Sequence, residues 1–363
     1  MELNPKKAII SIVLPITPFF LWGTAMVAMK GVIPNTTPLF MAGVRLLPAG
    51  VLILLTAMLL GKSQPRGWMA WLWIGFFALV DGIMFQGFLA EGLVRTDAGL
   101  GSAIIDSQPL AVALLSSWLF GETIGLWGWL GLSVGTIGLC LISLPDEWLL
   151  DLLGQGIFTA PESWHHLFNS GELLMLLAAL SMAVGTITIR YVCRYVDPIV
   201  ATGWHMIIAG LFLFLASGIG ESQQWVNISF NGWLELGYAT VFGSAIAYGV
   251  FFYLASSGSL TSLSSLTFLT PVFALIFGSI FLAEFLSTIQ WIGVSLTIVS
   301  IYLINQREVI GQQLKLFKES LKIAYFYAKL ATERQDNGNI PAILLQEQKL
   351  AREKLTVKNK VES

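Results

Sequence analysis

Four side chains that can carry charge lie well inside long apolar runs of the sequence, away from the ends of the runs: Arg45, Asp81, Asp106 and His205. An ionised side chain at mid-membrane costs at least about 2.5–3.5 kcal/mol on insertion scales, so each one needs a partner or a function. Asp106 has the strongest functional pattern, because it lies mid-span, next to the carbonyl that Pro109 leaves without a helical partner, with Gln108 nearby. Its carboxylate suits the binding of a substrate ammonium or the exchange of a proton, and the alternative is a buried acid held by nearby hydroxyl groups.

Arg45 and Asp81 lie on neighbouring apolar segments that run in opposite directions. Counting depth from the two membrane faces predicts that they meet near mid-membrane. Such a pair either pins two helices together or opens during transport, because unpaired charges at this depth are rare. His205 is either a hydrogen-bonded packing residue or a proton relay near neutral pH.

Uncharged polar and aromatic groups complete the candidate site. Gln86 and Tyr248 occupy matching places in two segments, and amides and phenols orient a ligand without a fixed charge. Trp22 and Tyr253 are candidates for apolar walls, with packing or interfacial anchoring as the alternative for each. The sequence has neither a spaced set of metal ligands nor a Gly-rich phosphate loop, so we expect no metal, no cofactor and no enzymatic activity.

The elements that carry these residues are repeated along the chain. Pro109 and Glu122 recur as Pro271 and Glu284, with twelve residues between proline and glutamate in each copy. Proline lacks an N–H group and therefore breaks the helical hydrogen-bond ladder. Within a membrane the freed carbonyls persist only where neighbouring helices or a water-filled cavity satisfy them. The helix breaks at Pro109 and Pro271 therefore predict the region of a transport site.

The composition is that of a polytopic membrane protein. Of the 363 residues, 55% are hydrophobic and 12% are charged, and the mean hydropathy is +0.74. Ten apolar runs are long enough to span a hydrocarbon core of about 30 Å, which predicts an all-α membrane protein with ten transmembrane helices. The runs lie near 9–29, 37–60, 68–90, 99–120, 126–144, 172–189, 198–219, 233–255, 262–283 and 288–304.

The distribution of basic residues predicts the orientation. With the N-terminus inside, seven Lys and Arg fall in inner segments and two in outer ones. We therefore expect a multi-pass protein of the cell membrane with both termini cytoplasmic and an external acidic loop over 145–171. Five helices per copy is an odd number, so 9–144 and 172–305 form two inverted five-helix repeats with a site at the midplane between them.

The tail over 306–363 differs from the rest of the chain. Apolar residues at alternating four- and three-residue steps, with lysines beside them, predict a cytoplasmic amphipathic helix. A basic helix of this kind usually lies at the membrane surface. Partner docking and a loosely ordered tail are the alternatives.

The sequence resembles the EamA-type members of the drug/metabolite transporter superfamily over about residues 10–305. The resemblance rests on the Pro-containing fourth helix of each copy, which ends in Leu-Phe-Gly-Glu122 or Phe-Leu-Ala-Glu284 before Trp-x-Gly, and on Arg45-Leu-Leu-Pro-Ala-Gly. It implies a ten-helix carrier, usually an exporter of amino acids or other small metabolites. It also implies a central cavity bounded largely by the third, fourth, eighth and ninth helices.

We therefore expect a secondary active or facilitative transporter, acting as an exporter of a small metabolite such as an amino acid or amine. It would work by alternating access around a midplane cavity, driven by proton coupling or running downhill. Asp106, Arg45, Asp81 and His205 are the candidates for coupling or gating. A non-transporting membrane scaffold or sensor that acts through the tail is the alternative. The expected partners are the substrate and the lipid bilayer, with no nucleic acid, and the protein is a monomer or a homodimer.

Overall fold

The computed structural model describes residues 5–95, 98–144, 171–282 and 287–337. Nearly all of the predicted loop over 145–171, the end of the tail and Glu284 lie outside these residues. The chain divides into two compact units, Met1–Asn305 and Gln306–Ser363. Every regular element in the described ranges is helical.

Thirteen α-helices follow one another along the described chain. In order they are α1 Pro5–Lys30, α2 Pro38–Leu59, α3 Trp68–Arg95, α4 Ala98–Ile105, α5 Gln108–Phe120, α6 Gly125–Ser143, α7 Gly171–Val192, α8 Pro198–Gly220, α9 Phe230–Ala255, α10 Leu260–Ser265, α11 Leu269–Leu282, α12 Thr288–Asn305 and α13 Arg307–Asn337. A short 3₁₀ turn, Leu266–Phe268, joins α10 to α11.

The helices of the first unit have the lengths and composition of membrane spans. Within the described residues, nine helical stretches are long and apolar enough to cross a membrane, and α5 is a further, shorter apolar helix. Large apolar side chains on their outer faces are exposed, as at Leu59 (89%) and Ile219 (91%). A lipid-facing surface explains this exposure, because hydrocarbon is the solvent there. The prediction of an all-helical membrane protein is confirmed, and the predicted span over 99–120 is divided between α4 and α5.

Both copies of the repeat have a helix break at the same place. In the first copy α4 ends at Ile105 and α5 begins at Gln108, so the chain turns at Asp106 and Ser107 just before Pro109. In the second copy the 3₁₀ turn precedes Pro271. Proline fits near the start of each following helix, where no intrahelical N–H bond is lost.

The spans α3 and α9 each contain a π-helical segment, Ala78–Met84 and Ala239–Ile246. The two segments occupy corresponding places in the two copies. A π-helical turn shifts the register of the side chains that follow, and such turns occur frequently at functional sites. Asp81 lies within the first segment.

Corresponding helices of the two copies pack against each other in antiparallel pairs. Along α2, Gly43 lies against Phe214 and Gly50 lies against Gly203, so the partner position on α8 falls as the position on α2 rises. The pair α6–α12 is antiparallel as well, since Gly131 meets Ile304 and Gly138 meets Gly293. Glycine permits this close approach, because a Cβ atom on Gly50 would lie 2.7 Å from the carbonyl oxygen of Gly203.

The main hydrophobic core lies between α2, α3, α7, α8 and α9. Among its fully buried side chains are Leu46, Phe77, Ile189, Met206 and Phe252. The second unit contains α13, a single helix over Arg307–Asn337, with exposed apolar side chains such as Phe317 and Tyr325. The prediction that this helix lies on a membrane surface remains a prediction.

Candidate functional site

Four of the predicted site residues form one cluster, which we call the central polar network: Trp22, Arg45, Gln86 and Tyr248. The amide Nε2 of Gln86 donates to the Tyr248 hydroxyl at 2.8 Å, and Arg45 Nη2 donates to Gln86 Oε1 at 3.3 Å. The Trp22 ring packs against the Tyr248 ring at a centroid distance of 5.1 Å. Helices α1, α2, α3 and α9 therefore each contribute one side chain to the network.

Gln86 and Tyr248 are corresponding residues of the two copies, 162 positions apart, and they bond to each other directly. They are 3% and 6% exposed, respectively. Two equivalent residues can touch only where the two copies meet. The network therefore lies at the contact between the halves of the first unit.

Arg45 is only partly satisfied by protein groups. Its Nη1 donates to the Met29 sulfur at 2.9 Å, and a thioether is a weak acceptor. Within the described part of the chain its buried Nε has no hydrogen-bond partner, and neither does the buried Nε1 of Trp22. Among the described residues no carboxylate forms an ion pair with Arg45.

Asp81 pairs with His205, so the predicted Arg45–Asp81 pair is wrong. His205 Nε2 lies 3.3 Å from Asp81 Oδ2, and both side chains are 1% exposed. The π-helical segment of α3 directs Asp81 toward α7 and α8, where a Cβ atom on Gly185 would lie 2.5 Å from the Asp81 Cβ. Arg45 instead reaches Gln86, five positions further along α3.

The Asp81–His205 contact has the chemistry of a site that holds one proton. His205 Nδ1 lies 2.7 Å from the carbonyl oxygen of Thr202, which can only accept, so Nδ1 carries a hydrogen. Attraction between Nε2 and Asp81 Oδ2 then requires one further proton on either group. Among the described residues neither carboxyl oxygen of Asp81 has a hydrogen-bond partner, and the Phe77 ring lies 4.1 Å from the His205 ring.

Asp106 lies apart from both of these clusters in its hydrogen bonding. Ser102 Oγ donates to its Oδ2 at 3.0 Å, and the residue is buried in the turn between α4 and α5. Gln108 donates to Thr186 at 3.3 Å, whereas its Oε1 has no partner among the residues that the structure describes. In the corresponding break of the second copy, the buried hydroxyl of Thr267 also lacks a partner. The two helix breaks thus place polar atoms in the interior.

Tyr253 lies outside the central polar network, because its side chain is 50% exposed. Phe251, and not Tyr253, forms the apolar wall beside Trp22. This ring is fully buried and packs at 5.2 Å against Trp22. The signal in the sequence was its place three residues after Tyr248, which puts both side chains on one helix face.

A separate cleft of about 130 Å³ lies at the end of α1 and the beginning of α9. Gly31, Asn35, Asn231 and Glu235 are among its lining residues, and none of the predicted site residues belongs to it. The predicted midplane cavity therefore stays a prediction. Among the described residues, no group of three or more His, Cys, Asp or Glu is arranged to hold a metal ion.

Comparison with known proteins identifies the family. The model of the EamA-like transporter family matches residues 9–144 and 169–306, most of the chain and both copies of the repeat. The chain belongs to the EamA-like transporter family. It is therefore a multi-pass membrane transporter and not an enzyme, and it contains two EamA regions.

Proteins similar to this EamA-family chain occur in bacteria and in a plant. An uncharacterised transporter of Synechocystis is 64% identical over 300 residues, which cover 83% of this chain and 91% of the relative. A chloroplastic WAT1-related protein of Arabidopsis thaliana is 52% identical, over 80% of this chain and 68% of the relative. The uncharacterised inner membrane transporter YedA of Escherichia coli is 27% identical, over 79% and 88%.

A solved crystal structure shares the fold of this EamA protein. It superposes with a TM-score of 0.68 and covers 83% of this chain and 97% of the other chain. The sequence identity is 17%, so the likeness concerns the fold alone.

Proposed function

We propose that the protein is a secondary active or facilitative exporter of a small metabolite such as an amino acid or amine. The observation that carries this proposal is the direct bond between Gln86 and Tyr248, flanked by unsatisfied donors on Arg45 and Trp22. Polar groups inside a membrane protein are costly, and those that line a substrate path recover the cost when a ligand binds. Their place between the two halves is where alternating access requires a substrate site.

The antiparallel packing of α2 with α8 and of α6 with α12 supports two inverted five-helix repeats, with α4 and α5 together forming the tenth span. Equivalent helices that meet in opposite directions are related by a twofold axis perpendicular to them. In a membrane that axis lies in the bilayer plane, as in carriers whose halves rock about a fixed site. We place the protein in the cell membrane with both termini cytoplasmic, in accord with its basic residues.

Two buried acids support coupling to protons. Asp81 lies 3.3 Å from His205, a contact that a shared proton would stabilise, and Asp106 lies at a helix break close to Gln108, whose Oε1 has no partner among the described residues. A carboxyl group in such a position can exchange a proton with a water that enters as the halves move. Asp106 and the Asp81–His205 pair are therefore our candidates for coupling.

The substitution Asp106→Asn tests the role of Asp106. A screen of amino acids, amines, nucleobases and sugars by thermal stabilisation first supplies a substrate, and flux is then measured in proteoliposomes across a range of pH. We expect Asp106→Asn to lose flux or its pH dependence while the protein still inserts and folds.

Glu91→Gln is the matched control, because Glu91 forms a partly exposed ion pair with Arg95 near the end of α3. It should retain the flux and pH response of the wild type. Full flux with an unchanged pH response in Asp106→Asn would remove Asp106 from the mechanism.

A further inference from the structure

We infer that the central polar network binds the carboxylate, or another singly charged oxyanion, of the transported molecule. This inference rests on the proposed transport function and narrows its substrate class. The network offers a cation, Arg45, and two buried donors without partners, Arg45 Nε and Trp22 Nε1. Negatively charged hydrogen-bond acceptors are the groups that satisfy such donors.

The guanidinium of Arg45 keeps its proton in proteins, so its charge has to be balanced. Among the residues that the structure describes, Arg45 finds only the Gln86 carbonyl oxygen and the Met29 sulfur as hydrogen-bond acceptors. The orientation of the Gln86 amide is fixed, because Arg45 can only donate and must face the amide oxygen. These neutral acceptors leave the positive charge without a counterion.

The corresponding residue of the second copy shows the contrast. His205 occupies the repeat position of Arg45 and has Asp81 at 3.3 Å. The other buried acid, Asp106, accepts from Ser102. Neither acid forms an ion pair with Arg45, so the balancing charge comes from outside the described protein groups.

The position of the donors suits a ligand that arrives at the contact between the halves. The side chains of Arg45 and Trp22 are partly exposed although their Nε and Nε1 atoms are buried, and Gln86 and Tyr248 are buried. Within the network, Arg45 contacts Gln86 and Trp22 contacts the Tyr248 ring. A planar carboxylate can accept from Nε of a guanidinium and from a second donor at once.

The walls of the network indicate an apolar body on the same ligand. Phe19 and Phe251 are fully buried, and their rings pack at 5.5 and 5.2 Å from the Trp22 ring. Such a lining favours hydrocarbon beside the polar contact. The structure thus selects carboxylates with an apolar body, zwitterionic amino acids among them, over plain amines.

Three ligands that share one apolar body test the inference by thermal unfolding of the full-length purified protein. Free leucine carries both charges, 4-methylpentanoate carries the acid alone, and leucinamide carries the amine alone. We expect leucine and 4-methylpentanoate to raise the melting temperature and leucinamide to leave it unchanged. Arg45→Gln should weaken binding of both acids about tenfold or more, since a charge-assisted hydrogen bond of this kind is lost.

Arg95→Gln is the control for loss of an arginine, because Arg95 pairs with Glu91 at the surface. It should bind both acids as the wild type does. Trp22→Phe keeps the ring and removes Nε1, and it should weaken binding of the acids several-fold. It therefore keeps the inference testable where Arg45→Gln does not fold.

The inference would be overturned if leucinamide stabilised the protein as much as 4-methylpentanoate does. It would also be overturned if neither leucine nor 4-methylpentanoate stabilised the protein. Unchanged acid binding in both Arg45→Gln and Trp22→Phe would overturn it as well. Measuring the flux of an amine in proteoliposomes separates failure of the carboxylate site from failure of the transport function. With such flux and no acid binding, the protein remains a transporter and only the carboxylate site fails.

Discussion

Asp81 is held in place by a residue that has no side chain. The backbone of Gly185 on α7 lies directly against the Asp81 side chain, which brings α7 close to the π-helical segment of α3. His205 approaches Asp81 from α8. The geometry of the buried acid–base pair thus depends on a glycine on a third helix.

Gly185→Ala should destabilise the protein, because the new Cβ atom would lie 2.5 Å from the Asp81 Cβ. Overpacking of this kind costs about 1–3 kcal/mol. Thermal unfolding in detergent measures the loss. Gly249→Ala is the control, since a Cβ atom there meets nothing within 4 Å and replaces a helical glycine with a better helix former. Equal melting temperatures for Gly185→Ala and the wild type would contradict the close contact.

At each end of the antiparallel pair α2–α8, an acidic side chain accepts hydrogen bonds from the N-terminus of one of the two helices. At one end Glu221 accepts from the backbone N–H groups of Leu39 and Phe40 at 2.9 and 3.0 Å. At the other end Asp197 accepts from the N–H of Ile199 at 3.0 Å and pairs with Lys62 at 2.9 Å. Carboxylates suit these positions because unpaired N–H groups and the helix dipole both favour negative charge.

Asp197 contributes to stability mainly as the cap of α8. Asp197→Ala should cost about 0.5–2 kcal/mol, the usual loss for a capping residue. Asp197→Asn keeps the capping oxygen, loses the ion pair with exposed Lys62, and should unfold close to the wild type. Melting temperatures in detergent rank the three proteins. Equal losses in the Asn and Ala variants would assign the effect to the ion pair instead.

The stabilisation that the charge of Lys62 gives this contact depends on pH. The hydrogen bond to Asp197, with the attraction of its carboxylate, raises the pKa of Lys62 above its ordinary 10.5. A raised lysine pKa stabilises the folded state below that value, and the contribution is lost as the pH rises through the pKa of the folded state. The ion pair is therefore present throughout the neutral range.

The sequence allowed prediction of the helices but not of their rotation about their own axes. Apolar runs predicted the spans, and the prolines predicted where α5 and α11 follow a break. Depth counting placed Arg45 and Asp81 at similar levels, yet the π-helical segment directs Asp81 to His205. A one-residue change of register leaves no mark in an apolar run, so this partner could not be predicted from periodicity. The matching places of Gln86 and Tyr248 made both residues site candidates, but they did not predict the hydrogen bond between them.

At the scale of the whole molecule, the described helices of the first unit form one body in which corresponding helices meet. The contacts of α1 with α9 and α11 are matched by the contacts of α7 with α3 and α5. This exchange of partners is what a duplicated arrangement with a twofold axis requires. The two EamA regions of the chain correspond to its halves.

Cysteine labelling tests whether the halves are inverted. Arg66 and Val226 are exposed residues in corresponding loops, after α2 and α8. In a variant with Cys140→Ser and Cys193→Ser, we expect a membrane-impermeant maleimide to label Val226→Cys in intact cells. Arg66→Cys should react only after permeabilisation. Labelling of both positions from one side would contradict the inverted arrangement.

The bond between Gln86 and Tyr248 also bears on the advantage of having both halves in one polypeptide. An assembly of two identical five-helix subunits would present the same side chain on each side of this contact. The contact would then contain two amides or two phenols, and the side chains on its two sides would be identical. A single gene that encodes both halves lets each partner mutate alone. Covalent fusion therefore allows the first half to carry Arg45 while the corresponding position of the second half carries His205, which pairs with Asp81 of the first half.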